Sequence, residues 1–206
     1  MTPLFNGLLL GFSIAAPVGP IGILCLRKTL TQGSSFGFVA GLGAASADAI
    51  YGSAAALGLT IISQFLIKYA SWVQLVGALF LLFLAYRTFS SPVMHREDSD
   101  ISRTDYLRTF VTTFFLTLTN PLTILSFIGI FAGMNLASGS VSSVYLIVGV
   151  FIGSAAWWLL LSTVVGLLRK MIGSKTMKFI NLFSSLILLS FGIYSMYSAY
   201  EGLVHP

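Results

Sequence analysis

Apolar residues fall in six long blocks, Pro3 to Leu26, Phe36 to Leu66, Trp72 to Phe89, Tyr106 to Ala132, Val144 to Leu168 and Met177 to Tyr200, separated by polar stretches. A hydrocarbon layer about 30 Å thick takes roughly 20 helical residues to cross, so each block predicts one spanning helix. The blocks are too long for strands and lack the two-residue alternation of a barrel. The first block carries no Lys or Arg before Arg27, so it lacks the basic flank of a signal peptide and reads as the first span.

The basic residues then decide the orientation. Arg27 and Lys28 follow the first block, Arg87, Arg96, Arg103 and Arg108 surround the junction of the third and fourth, and Arg169, Lys170, Lys175 and Lys178 follow the fifth. With six spans these share one side, and Lys68 alone lies on the other, so the positive-inside rule places both termini outside a prokaryotic plasma membrane. A net charge of +5 then describes loops near anionic lipid and gives no reason to expect nucleic-acid binding.

The two halves of the chain resemble each other. Trp72-Val73-Gln74-Leu75-Val76 matches Phe179-Ile180-Asn181-Leu182-Phe183, and Leu81-Leu82 matches Leu188-Leu189. Gly41, Ser46 and Gly58 match Gly149, Ser154 and Gly166, while Pro20-Ile21-Gly22-Ile23-Leu24 matches Pro121-Leu122-Thr123-Ile124-Leu125. Three spans per half force the halves into opposite orientations, the inverted-repeat plan of many transporters. The expected organisation is an all-α integral membrane protein with a first three-helix repeat over 1–89, a polar cytoplasmic linker over 90–105 and a second repeat over 106–206.

Within this frame two spans carry helix breakers. Pro17-Val18-Gly19-Pro20 in the first removes backbone donors and predicts a break near the midplane. Asn120-Pro121 in the fourth suits an N-cap followed by the first helical position, so a half-helix can restart there. Inversion points both half-helix N-termini toward the bilayer centre, where unpaired N–H groups and the positive dipole end favour a carboxylate.

Asp48 is the one acidic residue inside a predicted span. An ionised group at that depth is costly and marks a substrate or proton path by default; the bland alternative is a hydrogen bond that glues it to a neighbouring helix. Ala44, Gly52 and Ala56 form a small-residue stripe beside it, and Ala156 is its mate in the second half, so the repeat loses its symmetry at this position. With no second buried acid, His or Lys to pair with it, Asp48 is expected to be protonated at rest or partnered by a ligand. Gly33, Gly37 and Gly41, and Gly149 with Gly153, form ladders that serve packing within the subunit as readily as a homodimer face.

Other chemistries find little support. The single cysteine, Cys25, excludes an intrachain disulfide, and two histidines in polar stretches leave no metal-ligand spacing. No Ser-His, Cys-His or two-carboxylate set lies in the spans, so an enzyme is not expected, and neither is a cofactor.

Pro17-Val18-Gly19-Pro20, the Gly41-Leu42-Gly43 run leading to Ala47-Asp48, and Asn120-Pro121, in this order along the chain, resemble the LysE/RhtB superfamily of amino-acid exporters. Two departures stand out: Val18 is inserted between Pro17 and Gly19, which leans to the lysine-exporter side of the superfamily, and Leu122 stands where many members carry lysine. The resemblance implies export of amino acids or closely related small metabolites. On the residues, the expected mechanism is alternating access about a site formed by Pro17, Gly19, Pro20, Gly22, Asp48, Asn120, Pro121 and Thr123. The half-helix N-termini would hold the substrate carboxylate. Asp48 would hold either the substrate amine or a proton, which couples export to proton entry. The alternative is efflux of a metal cation or other inorganic ion, which calls for more hard oxygen or sulfur ligands than Asp48 and Asn120 supply.

Overall fold

The computed structural model of the chain describes residues 2–17, 19–56, 69–90, 103–120, 123–124, 126–127, 140–169 and 174–204. Seven helices are found among them: α1 Pro3–Ala15, α2 Pro20–Gln32, α3 Ser34–Ala56, α4 Ala70–Phe89, α5 Arg103–Leu118, α6 Ser140–Leu168 and α7 Ser174–Val204. Among the described residues α4, α6 and α7 are long and apolar enough to cross a membrane, and α1 with α2 forms a fourth candidate if the bent pair is one span. Only a third of the apolar window in α4, α6 and α7 is buried within the protein. Their outer faces carry Trp72, Val76, Leu79, Leu160, Val164, Phe183 and Ile193, a surface that water would not stabilise and lipid does.

The expected break in the first block is present. α1 ends at Ala15 with a last bond from the Ala16 N–H to the Phe12 carbonyl, and the helix resumes at Pro20 behind an extended Gly19. The axes of α1 and α2 diverge by 80°. Proline explains both edges: Pro17 cannot donate to the Ser13 carbonyl, and Pro20 occupies the first helical position, where a missing N–H costs nothing.

Among the helix ends that the structure describes, the end of the first block differs most from the sequence expectation. The apolar block closes at Leu26, with Arg27 and Lys28 beyond it, but α2 continues to Gln32 and carries both, half-buried. Arg87, Arg103 and Arg108 are likewise on α4 and α5 rather than in loops. A change of solvent polarity does not stop a helix, since long cationic stems can run along the helix while their heads reach water; a backbone signal does. That signal is Gly33, at φ +106°, a conformation that L side chains rarely adopt. A single residue thus turns α2 into α3. The expected extensions of the second block to Leu66 and of the fourth to Ala132 fall on 57–66 and 121–132, which lie outside the described residues apart from 123–124 and 126–127.

Packing is most extensive between α1 and α6, α3 and α6, α3 and α5, and α4 and α7. Glycine permits the first of these. A Cβ added at Gly7 or Gly11 would fall on the carbonyls of Leu146 and Val150, and one added at Gly149 or Gly153 on those of Leu4 and Leu8. The two helices therefore meet backbone to backbone along a four-residue glycine spacing on each. Gly41 gives the same closeness to Trp158. Both ladders noted in the sequence are thus spent inside the chain. The central core, with Leu24, Cys25, Ala44, Ala45, Leu116 and Trp158, lies where α2, α3, α5 and α6 converge.

Several buried hydroxyls are satisfied within their own helix. Thr29, Thr113 and Thr117 each donate to the carbonyl four residues earlier, at 2.8, 3.0 and 2.8 Å, a habit that removes the cost of a polar group in an apolar helix.

Candidate functional site

α5 ends at Leu118, and two residues later Asn120 accepts a hydrogen bond on its carbonyl from the Ile124 N–H at 3.1 Å. In the first half the Gly19 carbonyl accepts from the Ile23 N–H, also at 3.1 Å. Gly19 and Asn120, and Ile23 and Ile124, are mates in the sequence repeat, so the two breaks restart a helix at equivalent positions. Because the first intrahelical donor is Ile23, the amides of Ile21 and Gly22 lie in the first turn, where a helix offers them no acceptor. Asn120 also links its cap to the new turn, its Nδ2 donating to Thr123 Oγ1 at 3.0 Å.

Breaking α5 frees carbonyls as well as amides. The Leu118 carbonyl, which a continuous helix would bond to residue 122, instead accepts a hydrogen bond from the Tyr51 hydroxyl. Tyr51 stacks on Phe127 with ring centroids 5.2 Å apart. It sits one turn after Asp48 on the same face of α3 and so braces the broken end beside the acid.

Asp48 is 3% exposed and accepts a hydrogen bond on Oδ2 from Ser154 Oγ of α6 at 2.7 Å. Ser154 Oγ in turn accepts from Trp158 Nε1 at 3.2 Å. This corrects the expectation that Asp48 has no partner but a ligand or proton: an indole, a hydroxyl and the carboxyl form a chain across the α3–α6 contact. A carboxyl has acceptor capacity beyond one such bond, and Asp48 also borders open space.

That space is a cavity of about 100 Å³. Pro17, Gly19, Gly22, Asp48, Asn120 and Thr123 all line it, so six of the eight residues singled out in the sequence converge from α2, α3 and the two breaks. Pro20 is buried at the start of α2 but is not on the cavity wall; its part is to start the helix. Pro121 lies outside the described residues, as do Val18 and the side chain of Ala56. Of the small-residue stripe, Ala44 lines the cavity, while Gly52 faces Val150.

The structure adds residues that the sequence reading passed over. Ile14, Ala15, Ile21, Thr117, Ser126 and Trp158 complete the wall, and Ser154 stands behind it. A signal existed for part of this: Ser154, Trp158 and Ser162 recur every four residues in an otherwise apolar helix, marking one polar stripe. That this stripe faces Asp48 required the tertiary structure. In chemical terms the cavity offers backbone N–H groups at two helix starts, one carboxyl, and hydroxyl and amide donors, a set suited to a small zwitterion.

The family model described as LysE type translocator matches residues 12–199. A protein of Bacillus subtilis (strain 168) named "Putative amino acid efflux protein YcgF" is 28% identical over 206 residues, covering 96% of each chain. No solved structure matches the chain at a significant level.

Proposed function

The chain belongs to the LysE type translocator family, and from that premise we propose that it exports amino acids or closely related small metabolites by proton-coupled alternating access. As a member of that family it is a membrane transporter and not an enzyme. The observation that carries the finer reading is that Asp48 borders the same cavity as both restarted helices. The amides of Ile21, Gly22 and Thr123 suit a substrate carboxylate, and Asp48 suits its amine. A carboxyl occupied by an amine cannot hold a proton, so one residue exchanges the two and couples outward substrate to inward proton. Space of about 100 Å³ fits a small amino acid better than a bulky one. The name of the Bacillus subtilis relative supports an amino acid as the class of substrate.

The same proposal takes the protein as six spans in two inverted halves, 1–89 and 106–206, joined by 90–105, in the plasma membrane with both termini outside. Support comes from the exchange of partners: α1 of the first half lies along α6, and α5 of the second lies along α3. Gln74 and Asn181, mates in the repeat, each accept a hydrogen bond from another helix, Gln74 of α4 from α7 and Asn181 of α7 from α2. Gln74 accepts from Ser198 at 3.4 Å, and Asn181 accepts from Arg27 at 3.2 Å.

The test is counterflow in proteoliposomes. Wild type should export a loaded small amino acid faster when the opposite compartment is acidified, and Asp48→Asn should lose that dependence on pH while the protein still folds. Undiminished coupling in Asp48→Asn refutes the role of Asp48. Acceleration by divalent cations and not by amino acids favours the metal-efflux alternative.

A further inference from the structure

A second cavity, of about 330 Å³, lies between α2, α4 and α5 at the basic end of the helices and shares no lining residue with the first. Arg27, Lys28, Arg87 and Arg108 face it, against one acid, Asp105. Four like charges around a shared space repel one another; Asp105 offsets part of this, and a further anion entering the space would be attracted. Arg27 and Lys28 are held by hydrogen bonds, and Arg87 lies 5.9 Å from the centre of the Phe83 ring. Arg27 donates from Nε to Asn181 Oδ1 at 3.2 Å and from Nη1 to Thr88 Oγ1 at 3.0 Å, clasping α2 to α4 and α7. Lys28 donates to Gln32 Oε1 at 2.9 Å and lies 5.8 Å from the centre of the Phe36 ring. These contacts restrict the side chains before any ligand arrives, which lowers the entropy lost on binding.

The rest of the lining divides into a polar part, Gln32, Thr109, Thr112 and Thr113, and an apolar part. Leu24, Phe80, Phe83 and Leu84 form one wall, and Phe83 continues onto the outer face of α4, where it is 52% exposed. α4 and α5 share few contacts among the described residues, and through Phe83 the pocket wall reaches the outer face of α4. An inorganic ion would use the charges and leave the wall unmatched. An amphiphile uses both.

We propose that this pocket binds the phosphate group of an anionic phospholipid, with the headgroup on the four cations and an acyl chain along Phe80, Phe83 and Leu84. Guanidinium groups suit phosphate because their planar N–H donors engage two oxygens at once. Basic pockets between spanning helices are where such headgroups bind in other membrane proteins.

The full chain, stripped of lipid in a neutral detergent, provides the test through thermal melting with phosphatidylglycerol, phosphatidylcholine of the same acyl chains, or inorganic phosphate. Phosphatidylglycerol should raise the melting temperature saturably, and the other two should not. Arg87→Gln and Arg108→Gln, at exposed positions on helix ends, should each raise the phosphatidylglycerol concentration for half-protection roughly fivefold. Lys178→Gln, which removes an exposed cation of the same end outside the pocket, should leave it unchanged. Equal protection by inorganic phosphate would overturn lipid as the source. Protection that survives both arginine substitutions, or falls equally in Lys178→Gln, or is absent in wild type, would overturn the site.

Discussion

Ser154 of α6 donates its hydroxyl proton to Asp48 of α3 at 2.7 Å, and both groups are buried. The bond joins the one acid expected inside a span to the serine that the internal repeat pairs with Ser46. Asp48 is thus fixed in direction before a substrate arrives, with the cavity on one side and the Ser154–Trp158 chain on the other.

Ser154→Ala removes the donor and leaves a buried carboxyl short of a partner, which costs about 1–3 kcal/mol. The melting temperature should fall accordingly. In a double-mutant cycle with Asp48→Asn, the two losses should not add, with a coupling of about 0.5–3 kcal/mol for groups in direct contact. Additive losses would show that the bond contributes nothing.

Asn120 allows cap and ligand roles to be separated. Asn120→Asp preserves an N-cap acceptor and puts negative charge at a helix start, where it is tolerated or stabilising. It also places a second negative group where the substrate carboxylate is proposed to bind. Melting should therefore stay within about 1 kcal/mol of wild type while export falls to background. Asn120→Ala should do the reverse in part, losing about 0.5–2 kcal/mol of stability through the cap and retaining some export.

Glycine at the α1–α6 contact sets up a sign test. Alanine is favoured over glycine within a helix by about 1 kcal/mol, but at Gly149 its Cβ would fall on the Leu4 carbonyl, and such overpacking costs about 1–3 kcal/mol. Gly149→Ala should therefore lower the melting temperature. Gly52→Ala, whose nearest neighbours are Val150 atoms at 3.5 Å in ordinary contact, should be neutral or stabilising. Equal behaviour of the two would mean that α1 and α6 are not packed this closely.

Trp158 contributes both a wall and a donor. Trp158→Phe keeps an aromatic ring in the cavity but loses the bond to Ser154, so stability should drop by about 1 kcal/mol with the substrate range unchanged. Trp158→Ala enlarges the cavity and should let bulkier amino acids compete for export. Competition by unlabelled amino acids in the counterflow assay reads the difference.

Much of the protein can be read from order along the chain. Block length in lipid dictates helices, because every backbone group must be satisfied within its own segment. Proline decides where a helix stops and restarts, because it lacks a donor whatever surrounds it, and so the edges at Ala15, Pro20 and Asn120 are local facts. The isolation of Asp48 among apolar neighbours is also local, as are the glycine spacings. The change of polarity at Arg27 does not mark the end of α2; the positive φ of Gly33 does.

What folding alone decided is which faces meet. Ser154 and Asp48 lie 106 residues apart, and no rule of spacing within α3 or α6 selects that pairing. The glycines at 7, 11, 149 and 153 could have packed against another subunit, and only the contact of α1 with α6 assigns them inward. Arg27, Lys28, Arg87 and Arg108 read as marks of sidedness until α2, α4 and α5 gather them around one space. The physical division is between backbone hydrogen bonding, which each segment must satisfy for itself in lipid, and side-chain contact, which depends on the rotation of each helix about its axis and is set by its neighbours.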